Sequence, residues 1–310
     1  MTAGPPRKLN FVKRGLVFRP EGQRAWMVSH AACPVALPLG RDRLRIYFGT
    51  RDRRNYGHVA FVEIDPRTPA KILALSDEPA FAPGALGHFD ENGVYPGTIM
   101  QVGDNLRMYY MGRLNYEGSR YGMAIGVAES TDGGLVFRRL SPAPIFDRNP
   151  ESPWMVSTPC VMRAGRQWRM WHLGGTGWND ASTKSYYRLK SARSKDGLSW
   201  QPEPGDTVPL LTGETNLASP TVLQTGGGWR MWFCTYARTG YRLGYAWSAD
   251  GDAWTRDDTA SGVAPGPDGF DSREMAYPHA LEHDGRTYLL YSGNGFGRDG
   301  FGLAVAEEAA

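Results

Sequence analysis

The 310-residue chain carries 35 basic and 32 acidic residues, and a net charge of +3 gives no footing for nucleic-acid binding by charge alone. Hydrophobic residues make up 41% and charged residues 22%, a globular balance, and 12% aromatics with 39 Gly point to an all-β protein rich in turns. Three cysteines (Cys33, Cys160, Cys234) fit neither a disulfide framework nor metal-type spacing, the first residues lack an apolar signal core, and no apolar run is long enough to span a membrane, so a reducing cytoplasm is the expected compartment.

The first strand-like segment is "NFVKRGLVF", near residues 10–18. "CPVALPLGRDRLRIYFGTRD" and "GHVAFVEID" follow as a degenerate copy of a unit that then recurs more fully. In the second copy a Pro-led strand "YPGTIMQVGD" precedes an aromatic strand "NLRMYYMGR", a Gly-containing strand "YGMAIGVAES" and the turn "STDGGLVF". The third reads "TPCVMRAGR", "QWRMWHLGG", "YYRLKSARS" and "SKDGLSW", and the fourth "SPTVLQTGGG", "GWRMWFCTY", "YRLGYAWS" and "SADGDAW". A last partial copy holds "YPHALEHDGRTYLLYSGNG" and "GFGLAVAEE". The heading prolines are Pro34, Pro96, Pro159, Pro220 and Pro278, separated by 62, 63, 61 and 58 residues. Repetition at that period identifies one supersecondary unit.

Units of about four strands arranged radially are propeller blades. Pro fits the head of a strand because that residue need not donate to the ladder. The Asp-Gly pairs supply the positive-φ turn between third and fourth strands, which makes Asp132, Asp196 and Asp250 turn-formers. The last copy lacks a fourth strand and "NFVKRGLVF" resembles one. The expected fold is therefore an all-β, five-bladed β-propeller of four-stranded antiparallel blades, closed by the N-terminal strand. It would form one domain over 1–310, with blades near 25–75, 88–145, 152–205, 214–260 and 270–310 plus 10–18.

In such a ring the heads of the first strands and the ends of the second strands crowd one funnel. Four positions before each Pro stand His30, Asn92, Met155, Asn216 and Glu274; Asp90, Glu91, Asp271 and Arg273 lie close by. The second strands end near Arg51 and Asp52, Arg113, Trp178, Tyr236 and Arg238. Polar residues at these positions suit a ligand-filled funnel better than a core. Trp and Tyr faces suit the C–H faces of sugars, and several Arg suit an anionic group.

The five-fold Pro-headed unit and the S-x-D-G-x-x-W turns resemble the five-bladed propellers of glycoside hydrolase families 43, 32 and 130, over nearly the whole chain. "YPGTIMQVGDNLRMYYMGR", "STPCVMRAGRQWRMWHLGGTGW" and "YSGNGFGRDGFGLAV" are similar to uncharacterised family-43-like proteins of bacterial surface-polysaccharide or sugar-biosynthesis clusters. The resemblance implies a carbohydrate or glycosylated substrate and three acids, often with Asp immediately before the Pro. Here Cys33, Tyr95 and Thr158 occupy those positions, and the first head has only His30 as a titratable group, so the usual triad does not carry over. Some family 43 enzymes place a His beside a channel metal, and His279 resembles it, although a packed His is the plainer reading of both His279 and His172.

Three functions stay open. In the first, Glu274 is the general acid of a glycosidase and Asp90 or Glu91 the base, assisted by His30. Asn92, Asn216, Asp271, Arg273, Arg51, Asp52, Arg113, Trp178, Tyr236 and Arg238 would then bind the substrate. In the second, phosphate or an anionic substrate held by Arg supports phosphorolysis or transglycosylation. In the third, the protein is a non-catalytic sugar-binding propeller of glycan or natural-product biosynthesis. None calls for a metal, a cofactor, nucleic acid or a membrane span.

Overall fold

The computed structural model describes residues 4–179, 181 and 184–307. It is all-β. The chain opens with β1 (Phe11–Phe18), and an antiparallel unit follows, β2 (Ser29–Pro38), β3 (Leu44–Arg51), β4 (Gly57–Ile64) and β5 (Ile72–Leu75). The second unit is β6 (Gly93–Val102), β7 (Asn105–Tyr116), β8 (Arg120–Ser130) and β9 (Arg138–Arg139). The third is β10 (Val156–Ala164), β11 (Gln167–Trp178), β12 (Ser185–Ser194) and β13 (Trp200–Pro202). The fourth is β14 (Glu214–Thr225), β15 (Gly228–Ala237), β16 (Gly240–Ser248) and β17 (Thr255–Arg256). The last is β18 (Ala276–His283), β19 (Arg286–Ser292) and β20 (Phe301–Ala306), and β1 pairs antiparallel with β20, from Phe11 opposite Ala306 to Phe18 opposite Phe301. Single parallel bridges, Gly57 to Gly93 and Tyr187 to Asn216, link the first unit to the second and the third to the fourth.

The core lies between units. Tyr47 and Phe61 pack with Val94 and Met108; Tyr109 and Val127 with Val161 and Trp168; Trp171 and Leu189 with Val222 and Met231. Trp232 and Tyr245 pack with Phe11 and Leu289, and another cluster joins Val17, Phe18 and Leu290 to Ile46, Phe48 and Val62. Alternate residues of each strand thus face the neighbouring sheets, which is why the strands read as aromatic and β-branched runs.

The repeated Asp-Gly turns have a job beyond turning. Asp196 Oδ1 accepts from the Leu198 and Ser199 amides, which hold its carboxyl down at about 2, and Asp132 and Asp250 accept in the same way. Gly133 and Gly197 take φ of +74° and +75°, where a side chain would be strained. The carbonyls so exposed receive the preceding unit: Tyr47 Oη donates to Gly134 O (2.8 Å), Tyr109 Oη to Gly197 O (3.0 Å) and Arg169 Nη1 to Asp250 O (3.0 Å). Each turn is therefore also a clasp between units.

Candidate functional site: a tyrosine-lined cavity with two arginines

Each first strand is broken by a bulge at its proline, visible as register shifts in all five ladders that start a unit. The residue before the proline is left-handed in four of them: Cys33 (φ +54°), Thr158 (+46°), Ser219 (+51°) and Tyr277 (+52°). A non-glycine residue there is strained, more so when β-branched or followed by Pro. Repeated strain of this kind, and bulges that re-aim side chains, gather at functional sites. The four residues line two back-to-back cavities of about 110 and 140 Å³, which meet at this waist. The smaller is walled by the five heading prolines and holds His279.

The larger cavity holds the tyrosines and arginines. Tyr95, Tyr121, Tyr187, Tyr241 and Tyr277 line it with Arg51 and Arg113, and Phe296 stands at its edge. Neither cavity is lined by an Asp or a Glu. Tyr95 fits because Gly49 and Gly57 leave room for its ring; a Cβ at Gly49 would come within 2.3 Å of it. Tyr187 and Tyr241 share a hydroxyl–hydroxyl hydrogen bond, and burial pushes both phenols, and that of Tyr277, above the ordinary tyrosine range, so all three are neutral hydrogen-bonding groups.

The two arginines are not neutralised. Arg51 donates from Nη1 to Asn55 Oδ1 (3.1 Å), and Arg113 lies 5.7 Å from the Tyr121 ring, but among the described residues neither meets a carboxylate within 4.0 Å. The Nε of each is buried with no partner, and so is Tyr95 Oη. Three buried, unsatisfied polar atoms on residues that line one cavity are costly unless a bound group or a small rearrangement satisfies them. His30 senses the same field: desolvation first, then Arg51 and Arg298, hold its imidazole down at about 4, so it is neutral at physiological pH. Its Nδ1 meets Ser29 Oγ at 2.9 Å.

Of the residues expected to line the funnel from their place in the repeat, Arg51, Arg113 and the apolar Met155 line this cavity. Trp178 and Tyr236 stand behind it, with rings 5.1 Å from Tyr121 and 4.8 Å from Tyr241. The carboxylates stand elsewhere. Asp90 is fully buried inside the second unit, where Oδ2 accepts from Tyr110 Oη (2.9 Å) and Arg139 Nε (2.7 Å). Asp271 repeats the arrangement in the last unit, with Tyr291 Oη at 3.0 Å and Lys13 Nζ of β1 at 2.6 Å. Glu91 Oε2 accepts from the Gly87 amide, and Asp52 Oδ1 from the Arg54 and Tyr56 amides. Glu274 Oε2 accepts from the Gly295 amide (3.0 Å), one residue before Phe296, which lines the cavity.

The asparagines are clasps. Asn92 Oδ1 accepts from the Asn115 amide, and Asn216 joins the third and fourth units through the Tyr187 amide and Ser185 O. Arg273 is 76% exposed, 3.7 Å from Asp299, and Arg238 is exposed on a turn. His172 is buried, its Nδ1 3.0 Å from Leu173 O. Among the described residues no three His, Cys, Asp or Glu side chains are placed to hold a metal ion, and no helix is long and apolar enough to cross a membrane.

The tyrosines are the residues that the positional reading missed. Their signal was present: Tyr121, Tyr187 and Tyr241 each lie within the first three residues of the third strand of a unit, and Tyr95 and Tyr277 precede the heading proline.

No family model matches the chain. Among solved structures it is similar to a "Glycoside hydrolase" (TM-score 0.74, 17% identity, 98% of this chain and 93% of that one). It is also similar to a glycosyl hydrolase from Bacteroides ovatus (0.72, 13%, 100% and 99%) and to a thermostable family-43 glycoside hydrolase (0.68, 13%, 93% of each). These likenesses show the glycoside hydrolase propeller fold. Two Mycobacterium tuberculosis proteins, "Uncharacterized protein MT1551" and "Uncharacterized protein Rv1502", are each 37% identical to it over 298 residues, covering 95% of this chain and 98% of theirs. At that identity and coverage, the chain belongs to the family of these two mycobacterial proteins.

Proposed function

We propose that the chain is one domain, a five-bladed propeller closed by β1, and that its larger cavity binds an acidic carbohydrate whose anionic group sits between Arg51 and Arg113. Ring closure is supported by the β1–β20 pairing and by the cluster that joins the last unit to the first. The observation that carries the binding reading is the set of unpartnered buried atoms, Arg51 Nε, Arg113 Nε and Tyr95 Oη, on a carboxylate-free cavity. A planar guanidinium presents paired donors to a carboxylate or a phosphate, and phenol hydroxyls and ring faces suit the sugar it is attached to. The glycoside hydrolase-like fold favours the same class of ligand, although fold alone does not fix chemistry. The three cysteines are free, as a reducing cytoplasm would keep them.

Glycosidase chemistry is the second reading, and Glu274 is what favours it, since it stands behind the cavity rim at Gly295. Asp90 and Asp271 are better read as structural carboxylates.

Isothermal titration with glucuronate, galacturonate, glucose 1-phosphate and neutral glucose tests the proposal. An acidic sugar should bind where glucose does not, and Arg51→Ala or Arg113→Ala should weaken it by about tenfold or more, the range of a charge-assisted hydrogen bond. Equal binding of acidic and neutral sugars, or a folded Arg113→Ala protein with unchanged affinity, would overturn it.

A further inference from the structure

We infer that Phe296 is the platform on which the ligand's sugar ring stacks, so that the site selects an anion carried on a pyranose over the bare anion. The inference rests on the proposed acidic-sugar site and adds the residue that reads the ring.

Phe296 lies in the glycine-rich turn 293–300 between β19 and β20. Its backbone is left-handed, with φ +60° and ψ +35°, and its neighbours Gly295 (φ +63°) and Gly297 (φ +84°) share that region. Glycine adopts it freely, whereas a bulky aromatic is strained there. Strain of this kind persists where the surroundings impose it, and it gathers at ligand sites. Burial in the core would be the plain reason to keep such a side chain, but Phe296 is 43% exposed. It lines the cavity that Arg51 and Arg113 line. Its ring meets Tyr241 edge to face, with centroids 5.5 Å apart and planes at 69°, so Tyr241 covers at most one of its faces.

The turn is held from both sides. Glu274 Oε2 accepts from the Gly295 amide (3.0 Å), and Asn294 Oδ1 accepts from the Arg273 and Glu274 amides (2.8 and 3.1 Å). Gly297 backs onto β2, where a Cβ would come within 2.5 Å of Ala31 O. Next to that contact Ala32 pairs with Gly49 of β3, and Ser29 with Arg51. The turn is thus seated on the strand pair that carries Arg51. An aromatic face and guanidinium groups lining one cavity match the two halves of an acidic pyranose, its C–H face and its anionic group. A bare anion has nothing to offer the phenyl face.

The test is isothermal titration of glucose 1-phosphate against inorganic phosphate, and of glucuronate and galacturonate against acetate, on wild type, Phe296→Gly, Phe296→Leu and Phe296→Tyr. At least one acidic sugar should bind wild type more tightly than its bare anion. Phe296→Gly and Phe296→Leu should bind that sugar about three- to tenfold more weakly, the range of one aromatic contact, while Phe296→Tyr keeps the affinity. The melting temperature of Phe296→Gly should stay within about 2 °C of wild type, because release of left-handed strain offsets the lost contact with Tyr241. An acidic sugar bound no better than its anion, wild-type affinity in Phe296→Leu, or a loss of affinity seen only with a melting temperature lowered by about 6 °C or more, would overturn the platform and leave the acidic-sugar site standing. If no acidic sugar binds wild type, the acidic-sugar reading fails, and the platform with it.

Discussion

The substitution Asp90→Asn separates a structural carboxylate from a catalytic one. The Asp90 side chain is 0% exposed, and its partner Arg139 is 20% exposed, 4.3 Å from the Phe81 ring and donating to Ala82 O at 2.5 Å. The amide oxygen of the variant would still accept from Tyr110, but the guanidinium would lose its counter-charge. Breaking a buried ion pair by removing one partner costs about 3–5 kcal/mol. Arg139 keeps the Ala82 bond and some solvent, so the lower end, ~3 kcal/mol, is expected. In a chain of this size each kcal/mol lowers Tm by roughly 2 °C, which gives a fall of about 6 °C. Urea and thermal unfolding followed by tryptophan fluorescence would measure it, alongside acidic-sugar titration. Stability should drop while affinity in the surviving folded protein changes less than about threefold, because Asp90 does not line the cavity. A melt within ~0.5 kcal/mol of wild type together with lost sugar handling would refute the structural assignment and restore Asp90 as a functional acid.

Three further outcomes follow from the same contacts. Deleting residues 1–18 removes β1, its ladder to β20 and the buried Phe11, Val17 and Phe18, so the truncated protein should aggregate; a monomeric protein with an unchanged melt in size-exclusion and calorimetry would refute closure by β1. Burial first holds His172 down at about 4, against 6.5 in an unfolded chain, so the unfolded state binds the extra proton between those values. Stability from His172 is fully present above pH 6.5 and falls by up to ~3 kcal/mol as pH drops to 4. Urea midpoints at pH 7 and pH 5 should therefore differ less in His172→Gln than in wild type, and identical slopes would refute the assignment. For Glu274, the Gln variant still accepts from the Gly295 amide and the Ala variant does not. If Glu274 only positions the Phe296 segment, Glu274→Gln keeps sugar affinity and any turnover, and Glu274→Ala weakens binding by about fivefold, the loss of one hydrogen bond of ~1 kcal/mol. Abolished turnover in Glu274→Gln with intact binding would mark it as the acid.

The sequence by itself determined the repeated unit and its order of strands. Periodicity, proline heads and Asp-Gly turns are local features, and each acts within a few residues of where it is written. The pairing of "NFVKRGLVF" with the last unit was legible too, because a unit lacking a strand and a strand lacking a unit stand at opposite ends of one chain. What tertiary structure decided was which polar residues face the cavity. A bulge at each proline head turns side chains by one position, so counting back from the proline found Asn92, Asn216 and Glu274, which point into the framework, and passed over Tyr95 and Tyr277, which line the cavity. The ends of the second strands were more predictive because β3 and β7 pair with β4 and β8 without a register shift, which keeps Arg51 and Arg113 in the alternation that aims them inward. Asp90 and Asp271 show the same limit from the other side: each lies twenty residues before its tyrosine partner, Tyr110 and Tyr291, and only the folded unit brings hydroxyl, carboxylate and cation together in its interior. Side-chain type is a property of the sequence, but whether a carboxylate meets solvent, ligand or a buried cation depends on strand register and on neighbouring sheets, which local propensity does not encode.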